Sequence, residues 1–97
     1  MKQLYYCNAT CDNERLYSYG LNVVKFITLG YGSLMVWVYR YPSMTTAQHL
    51  RKYAKWLEEH GESVKSALLT ACLNEGVKKG ERHVQGYVVN TEIIVEC

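Results

Sequence analysis

Two apolar runs joined by a short glycine loop are the strongest constraint on how this chain can fold. Residues 23–29 and 34–41 are rich in the β-branched and aromatic residues that favour strands. Between them stands Gly30-Tyr31-Gly32, which has the length and composition of a hairpin loop. The sequence therefore predicts a β-hairpin over residues 23–41.

The second strand of this hairpin is apolar on both faces, because side chains alternate along a strand. One face is mostly aliphatic: Leu34, Val36, Val38 and Arg40. The other carries a thioether and three aromatic rings: Met35, Trp37, Tyr39 and Tyr41. Such a strand is either covered on both sides or presents its aromatic face to a partner. We therefore name Met35, Trp37, Tyr39 and Tyr41 as candidate partner contacts.

The rest of the chain predicts an α+β fold. Further strands are expected at residues 2–8, 15–19, 84–89 and 91–95, and helices from the Ser43–Thr46 region to about His60 and from Ser63 to Asn74, with Gly76 as the stop of the second helix. The prediction is a single domain, residues 1–97. It has an antiparallel sheet of four to six strands, with two helices inserted between the hairpin and the C-terminal strands.

The first helix begins at a group of hydroxyl side chains. Thr45 or Thr46 is expected to accept hydrogen bonds from the free N–H groups of the first turn, and His49 to bond back to a threonine hydroxyl or to the preceding loop. This group predicts a structural joint. Trp56 lies at the edge of the apolar arc of the same helix and is added to the candidate partner contacts.

Composition excludes few functions. The chain has 11 Lys and Arg against nine Asp and Glu, a net charge of +2, and a pI of about 8.3, below the range of a dedicated nucleic-acid binder. No stretch approaches the roughly 18–20 apolar residues that span a bilayer. The absence of a secretory signal predicts a cytoplasmic location with four reduced thiols. We expect no cofactor.

The candidate metal and catalytic residues form no complete motif. Cys7 and Cys11 have a spacing that zinc sites tolerate, but Cys72 and Cys97 have no nearby ligand in the sequence, so no metal site is predicted. A phosphate loop, a nucleophile elbow and an H-E-x-x-H helix are all missing from the sequence. We therefore expect no catalytic residues and a protein that is not an enzyme.

Tyrosine usage favours a contact surface. The chain has nine tyrosines and one phenylalanine, and tyrosine is enriched at interfaces, where its ring is buried and its hydroxyl finds a partner. Two other classes stay open. One is a nucleic-acid-binding regulator that uses Lys78, Lys79, Arg82, His83 and the aromatic strand. The other is a homo-oligomer, with a homodimer as its simplest form, that buries the aromatic strand against its own copy.

Two segments resemble a known group of small proteins. Residues 16–24, Leu-Tyr-Ser-Tyr-Gly-Leu-Asn-Val-Val, and residues 41–49, Tyr-Pro-Ser-Met-Thr-Thr-Ala-Gln-His, are similar to small accessory proteins of tailed phages and mobile elements. Their pattern is a Tyr-x-Tyr-Gly strand start, a hairpin, and a Tyr-Ser-x-Thr-Thr-x-x-His helix entry; here Pro42 stands between the tyrosine and the serine. The resemblance covers about a third of the chain.

What the resemblance implies is a phage origin and a role against host machinery. Small phage accessory proteins commonly bind and block host proteins, including CRISPR–Cas effectors. The expected function is therefore inhibition of a host defence protein, most plausibly a CRISPR–Cas effector nuclease, by protein–protein contact in the host cytoplasm. The expectation of binding rests on the residues, whereas the identity of the target rests on the resemblance alone.

Overall fold

The structure, a computed structural model that describes residues 1–96, contains one antiparallel sheet and two helices within that range. The strands are β1 (Lys2–Gln3), β2 (Ala9–Cys11), β3 (Arg15–Ser18), β4 (Leu21–Thr28), β5 (Leu34–Tyr39), β6 (His83–Val89) and β7 (Glu92–Glu96). The helices are α1 (Met44–Glu59) and α2 (Ser63–Lys79). Strand order in the sheet follows chain order from β1 to β7.

The two helices lie between β5 and β6 in sequence, although these strands are direct neighbours in the sheet. The helices pack against each other and against strands β3, β5, β6 and β7. The predicted α+β class and the position of the helices are therefore confirmed. The sheet of the described residues has seven strands instead of four to six.

The additional strand is β2. A turn inside residues 2–8, which were predicted as one strand, ends β1 at Gln3 and lets the chain return as β2. Tyr5 has a positive φ of 51°, the backbone N–H of Leu4 donates to Ala9, and that of Cys7 donates to Leu4. The chain thus reverses after Gln3. Local propensity did not indicate this turn, because Leu and Tyr are common in strands.

The predicted hairpin is present, with β4 paired to β5 from Val24 opposite Val38 to Thr28 opposite Leu34. Gly30, Tyr31 and Gly32 all have positive φ, between 52° and 75°, and both glycines adopt this conformation without a steric penalty. The backbone N–H of Ser33 donates to Gly30, and that of Leu29 donates to Ser33, closing the loop.

A β-bulge adapts β4 to the core. Leu16 pairs with Val24 and Tyr17 with Asn22, which leaves Val23 without a partner in the register. Both Val23 and Val24 are fully buried. A bulge lets two consecutive side chains turn toward the same layer, so the sheet contributes an additional valine to the core.

The core lies between the helices and one sheet face. The sheet contributes Ala9, Cys11, Leu16, Val24, Phe26, Val36, Val38, Val84 and Val88, and the helices contribute Leu50, Tyr53, Leu57, Leu68, Leu69, Cys72 and Leu73. Within the described residues, neither helix is long and apolar enough to cross a membrane.

The second helix continues past its predicted end at Asn74. Gly76 lies inside α2 and is buried, where it allows close approach of Arg40 and Val84. The helix ends at Gly80, which has a left-handed φ of 68°; its N–H donates to Val77, and the N–H of Glu81 donates to Gly76. These are the two hydrogen bonds of a Schellman cap. The predicted stop at Gly76 is therefore wrong, and the helix ends at Gly80.

Gly86 sets the distance between α2 and the sheet, and its replacement by alanine tests this contact. An added Cβ would overlap Sγ of Cys72 and lie 2.9 Å from Cδ1 of Leu68. We expect Gly86→Ala to lower the free energy of unfolding by about 1–3 kcal/mol through overpacking, measured by urea denaturation. Gln85→Ala, which removes a side chain from the opposite face of the same strand, is the control for strand propensity.

A double variant distinguishes steric overlap from a general loss of strand stability. Because the overlap involves Sγ of Cys72, Gly86→Ala combined with Cys72→Ala should be less destabilised than the sum of the two single changes. Additive effects, or a Gly86→Ala variant as stable as the parent protein, would contradict a tight contact between helix and sheet.

Candidate functional site

The sheet face turned away from the helices is the candidate binding surface, and we call it the open face. The register places the following side chains on it: Arg15, Tyr17, Lys25, Ile27, Met35, Trp37, Tyr39, His83, Gln85, Tyr87, Ile94 and Glu96. Both helices pack on the other side. Among the described elements, none covers the open face.

One row of side chains crosses the open face through Trp37. The register aligns Arg15 with Lys25, Lys25 with Trp37, Trp37 with Gln85, and Gln85 with Glu96. The row therefore runs from two cations, through an aromatic and an amide side chain, to an anion. The charge on this face changes sign from the β3 side to the β7 side.

The next row toward the hairpin loop is apolar. Ile27 pairs with Met35, Met35 with Tyr87, and Tyr87 with Ile94. Met35 and Tyr87 are partly buried by their neighbours, while Ile94 is 46% exposed. This row extends the apolar area around Trp37 across four strands.

An aromatic cluster surrounds Trp37. The rings of Tyr39 and His83 stack with 4.7 Å between centroids and an interplanar angle of 4°. Trp37 lies 6.0 Å from His83 and 6.4 Å from Tyr39, and Tyr41 meets Tyr39 edge-on at 5.9 Å. Such contacts restrict the side chains before a partner arrives, which lowers the entropy lost on binding.

The structure therefore brings four of the five predicted partner contacts together. Met35, Trp37 and Tyr39 lie on the open face of β5, and Tyr41 follows the strand end, 45% exposed and against Tyr39. Sequence reasoning did not place His83 among the partner contacts, because it joins the cluster only through the pairing of β6 with β5 across a separation of 44 residues. No local signal identifies that pairing.

Trp56 requires a correction. It is only 7% exposed and belongs to the core, stacked between Tyr53 at 6.0 Å and His60 at 3.9 Å. Met1, Cys11 and Asp12 border the same depression, so the N-terminal strands lie beside the flank of α1 that we expected to be exposed. Trp56 offers little area to a partner.

The helix entry near Thr45 and Thr46 also differs from the prediction. The N-cap of α1 is Ser43, whose hydroxyl accepts a hydrogen bond from the N–H of Thr46 at 3.5 Å. Neither threonine caps the helix, since both already lie within it. The helix starts at Met44, two residues earlier than a Thr45 cap would allow and three earlier than a Thr46 cap would, because Ser43 supplies the acceptor first.

Thr46 and His49 nevertheless form a buried polar group with Ser18 of β3. Oγ of Ser18 lies 3.1 Å from Oγ1 of Thr46 and 2.8 Å from Nδ1 of His49. All three residues are at most 3% exposed, so each hydroxyl needs the hydrogen bonds that the others provide. The group joins α1 to the sheet, and a substrate could not reach its Ser–His pair without local unfolding.

Burial lowers the pKa of His49 below its ordinary value of 6.5, and the positive charge of Lys52 lowers it further. The neutral imidazole is therefore the form that the folded protein accommodates. A protonated His49 would place an uncompensated charge in the core between α1 and β3.

Cys7, Cys11 and Cys72 lie apart from the open face. Cys7 donates its thiol hydrogen to the carbonyl of Leu4 at 2.7 Å, and burial raises the pKa of Cys11 to about 11, with Asp12 contributing. Cys72 is buried on the side of α2 that meets Gly86 of the sheet, and Cys97 lies outside the described residues. Within residues 1–96, no group of three or more His, Cys, Asp or Glu side chains is arranged to hold a metal ion.

Comparison with known proteins identifies no relative: no family model, curated protein or solved structure matches this chain.

The depressed pKa of His49 predicts a pH-dependent stability. Between the ordinary pKa of 6.5 and the lower folded-state value, the unfolded chain binds a proton that the folded chain excludes, so the free energy of unfolding should fall as pH falls. Urea denaturation at about pH 7.5 and about pH 5.5 measures this loss. His49→Gln should remove this part of the pH dependence.

The matched control is His83→Gln, which removes an exposed histidine on the open face and should leave that pH dependence in place. Equal pH dependence in the parent protein and in His49→Gln would show that His49 does not exclude the proton. If His49→Gln is too unstable for denaturation, NMR titration of the imidazole in the parent protein gives the same answer.

Proposed function

We propose that this chain is a non-enzymatic binding protein whose open face contacts a protein partner. The observation that carries the proposal is the aromatic cluster of Trp37, Tyr39 and His83 at the centre of a sheet face that no described element covers. Tryptophan and tyrosine in such positions supply much of the binding energy at protein interfaces.

The charge pattern of the open face favours a protein over a nucleic acid. Cations occupy only one side, at Arg15 and Lys25, while Glu96 occupies the other. A single strand laid across the sheet would meet repulsion at the β7 side, whereas platforms for single-stranded nucleic acids combine stacking with a continuous basic groove. A protein surface can match an apolar centre flanked by both signs of charge.

The resemblance of residues 16–24 and 41–49 to phage accessory proteins supports the kind of partner. On that basis the chain acts in the host cytoplasm as an inhibitor of a host defence protein, most plausibly a CRISPR–Cas effector nuclease. Cys7 and Cys11, which the structure holds as free thiols, are compatible with a reducing compartment. The target rests on the resemblance, and the use of the open face rests on the geometry.

Affinity capture with a matched pair of variants tests this proposal. The tagged protein is added to nuclease-treated lysates of bacteria that encode CRISPR–Cas systems, and retained proteins are identified by mass spectrometry. Trp37→Ala should lose about 2 kcal/mol or more of binding energy, roughly 30-fold in affinity, if Trp37 is the centre of the interface. Tyr6→Ala, a fully exposed aromatic residue in the β1–β2 turn, should retain the partner.

The recovered protein is then purified, and its nuclease activity is measured with and without this chain. Inhibition by the parent protein and by Tyr6→Ala, but not by folded Trp37→Ala, is the expected result. If no protein is retained and the purified chain instead binds added oligonucleotides with an affinity that falls steeply as salt rises, the proposal is contradicted and a nucleic-acid-binding regulator is favoured. Equal loss in both variants would place the interface elsewhere.

A second candidate, self-association through the open face, is favoured by the order of charges in the Trp37 row. If two copies met face to face about a two-fold axis along β5, β3 of one copy would lie over β7 of the other. Arg15 of each copy would then approach Glu96 of the second. A two-fold interface requires such self-complementarity.

A charge exchange tests this second candidate. Arg15→Glu and Glu96→Arg should each weaken a dimer, because each places like charges opposite one another, and an equimolar mixture of the two variants should restore both charge pairs as a heterodimer. Sedimentation velocity at moderate salt measures the masses. A parent protein that stays monomeric at high concentration rules out self-association and leaves the open face available to another partner.

A further inference from the structure

A second surface feature, separate from the open face, is a cleft beside the loop that joins β5 to α1. It has a volume of about 280 Å³, near the lower end of the roughly 300–1,000 Å³ typical of small-ligand sites. Its lining includes three arginines, Arg40, Arg51 and Arg82, together with the N-cap Ser43. We call it the arginine cleft.

Arg40 is fixed in position by the protein itself. Its Nη1 donates to the carbonyl of Gly76 at 2.8 Å and to the carbonyl of Glu81. The carbonyl of Gly76 lies in the last turn of α2 and that of Glu81 lies just after the helix, so the guanidinium connects the end of β5 to the end of α2. Arg40 therefore supports the wall of the cleft, and its remaining N–H groups contribute positive potential to it.

Arg51 of α1 and Arg82 before β6 have no such internal partner. Within residues 1–96, the side chain of neither one forms a hydrogen bond or an ion pair. No acidic side chain of the described residues lines the cleft. Two arginines without a side-chain partner thus line one cavity that has no acidic residue in its described lining, an arrangement that an anion would stabilise.

The other residues that line the cleft indicate which kind of anion it would accommodate. The first turn of α1 contains no acidic residue, and its N-cap Ser43 lines the cleft, so the positive end of the helix dipole adds to the potential at the mouth. Leu50, Leu73 and Val77 form an apolar side. An anionic group can therefore contact the arginines while an apolar body packs on the helices.

We propose that the arginine cleft binds a small phosphate monoester. Arg51 and Arg82 hold the phosphate oxygens, and the apolar side of the cleft holds the organic part. Two unpaired guanidinium groups match the charge of about −1.5 to −2 on a phosphate monoester better than the single charge of a carboxylate. The site does not depend on the open face or on its partner, so failure of one proposal leaves the other intact.

The test uses phenyl phosphate as the probe, because it combines a phosphate monoester with a compact apolar ring. Titration into the full chain is followed by amide NMR shifts. The expected result is saturable binding at or below about 1 mM, with shifts around Ser43, Arg51 and Val77 and none around Trp37 or Gln85. Inorganic phosphate, which lacks the apolar body, should bind more weakly at the same place, and phenol, which lacks the anion, should not bind.

Variants assign the contact. Arg51→Gln and Arg82→Gln should each weaken phenyl phosphate binding by about tenfold or more, the effect of losing a charge-assisted hydrogen bond. Arg15→Gln makes the same change on an exposed arginine of the open face and should leave binding unchanged. Thermal melting confirms that each variant is folded. Arg40→Gln is avoided, because it would also remove the bonds that hold the end of α2.

Several results would overturn the proposal. They are the absence of saturable binding by phenyl phosphate, an equal loss of binding in Arg15→Gln, and binding of benzoate as tight as that of phenyl phosphate. An oligonucleotide without a terminal phosphate that binds the cleft more tightly than phenyl phosphate would likewise overturn the small-ligand assignment. Such a result would instead identify the cleft as a contact for a nucleic-acid backbone.

Discussion

The close packing of α2 on the β5–β6 pair is the constraint on which the rest of the structure depends. Gly86 has no side chain, so Cys72 and Leu68 reach the sheet backbone, and Gly76 allows the same closeness to Arg40 and Val84 from the helix side. Two glycines on facing elements thereby let the helix approach the sheet. Because α1 packs against α2, this contact also determines the position of the first helix.

Placing both helices on one side leaves the other side of a wide sheet without cover. The side chains on a sheet face that is exposed to water are normally polar. Here Trp37, Tyr39 and His83 bury part of their surface against each other, and the rows beside them do the same with Ile27, Met35 and Tyr87. These contacts leave part of the apolar surface exposed, as at Ile94, which is the condition that the proposed interaction surface requires.

The features that could be predicted from the sequence are those that local periodicity determines. The 23–41 hairpin, both helices, the α+β order and the aromatic face of β5 depend on spacings within a few residues, and the structure contains all of them. The features that could not be predicted depend on contacts between distant segments. The burial of Trp56 depends on the N-terminal strands, the role of His83 on strand pairing, and the continuation of α2 through Gly76 on the approach of Arg40.

Alternation along β5 connects the two candidate surfaces. Trp37 and Tyr39 point to the open face, while Val36, Val38 and then Arg40 point to the helices, so one strand supplies the centre of the aromatic cluster and the fixed guanidinium of the arginine cleft. A one-residue register shift would exchange these faces and place an arginine among the aromatic rings. Pairing of β5 with both β4 and β6 prevents such a shift. The same pairing that completes the fold therefore keeps the aromatic cluster and the arginine cleft on opposite sides of the sheet.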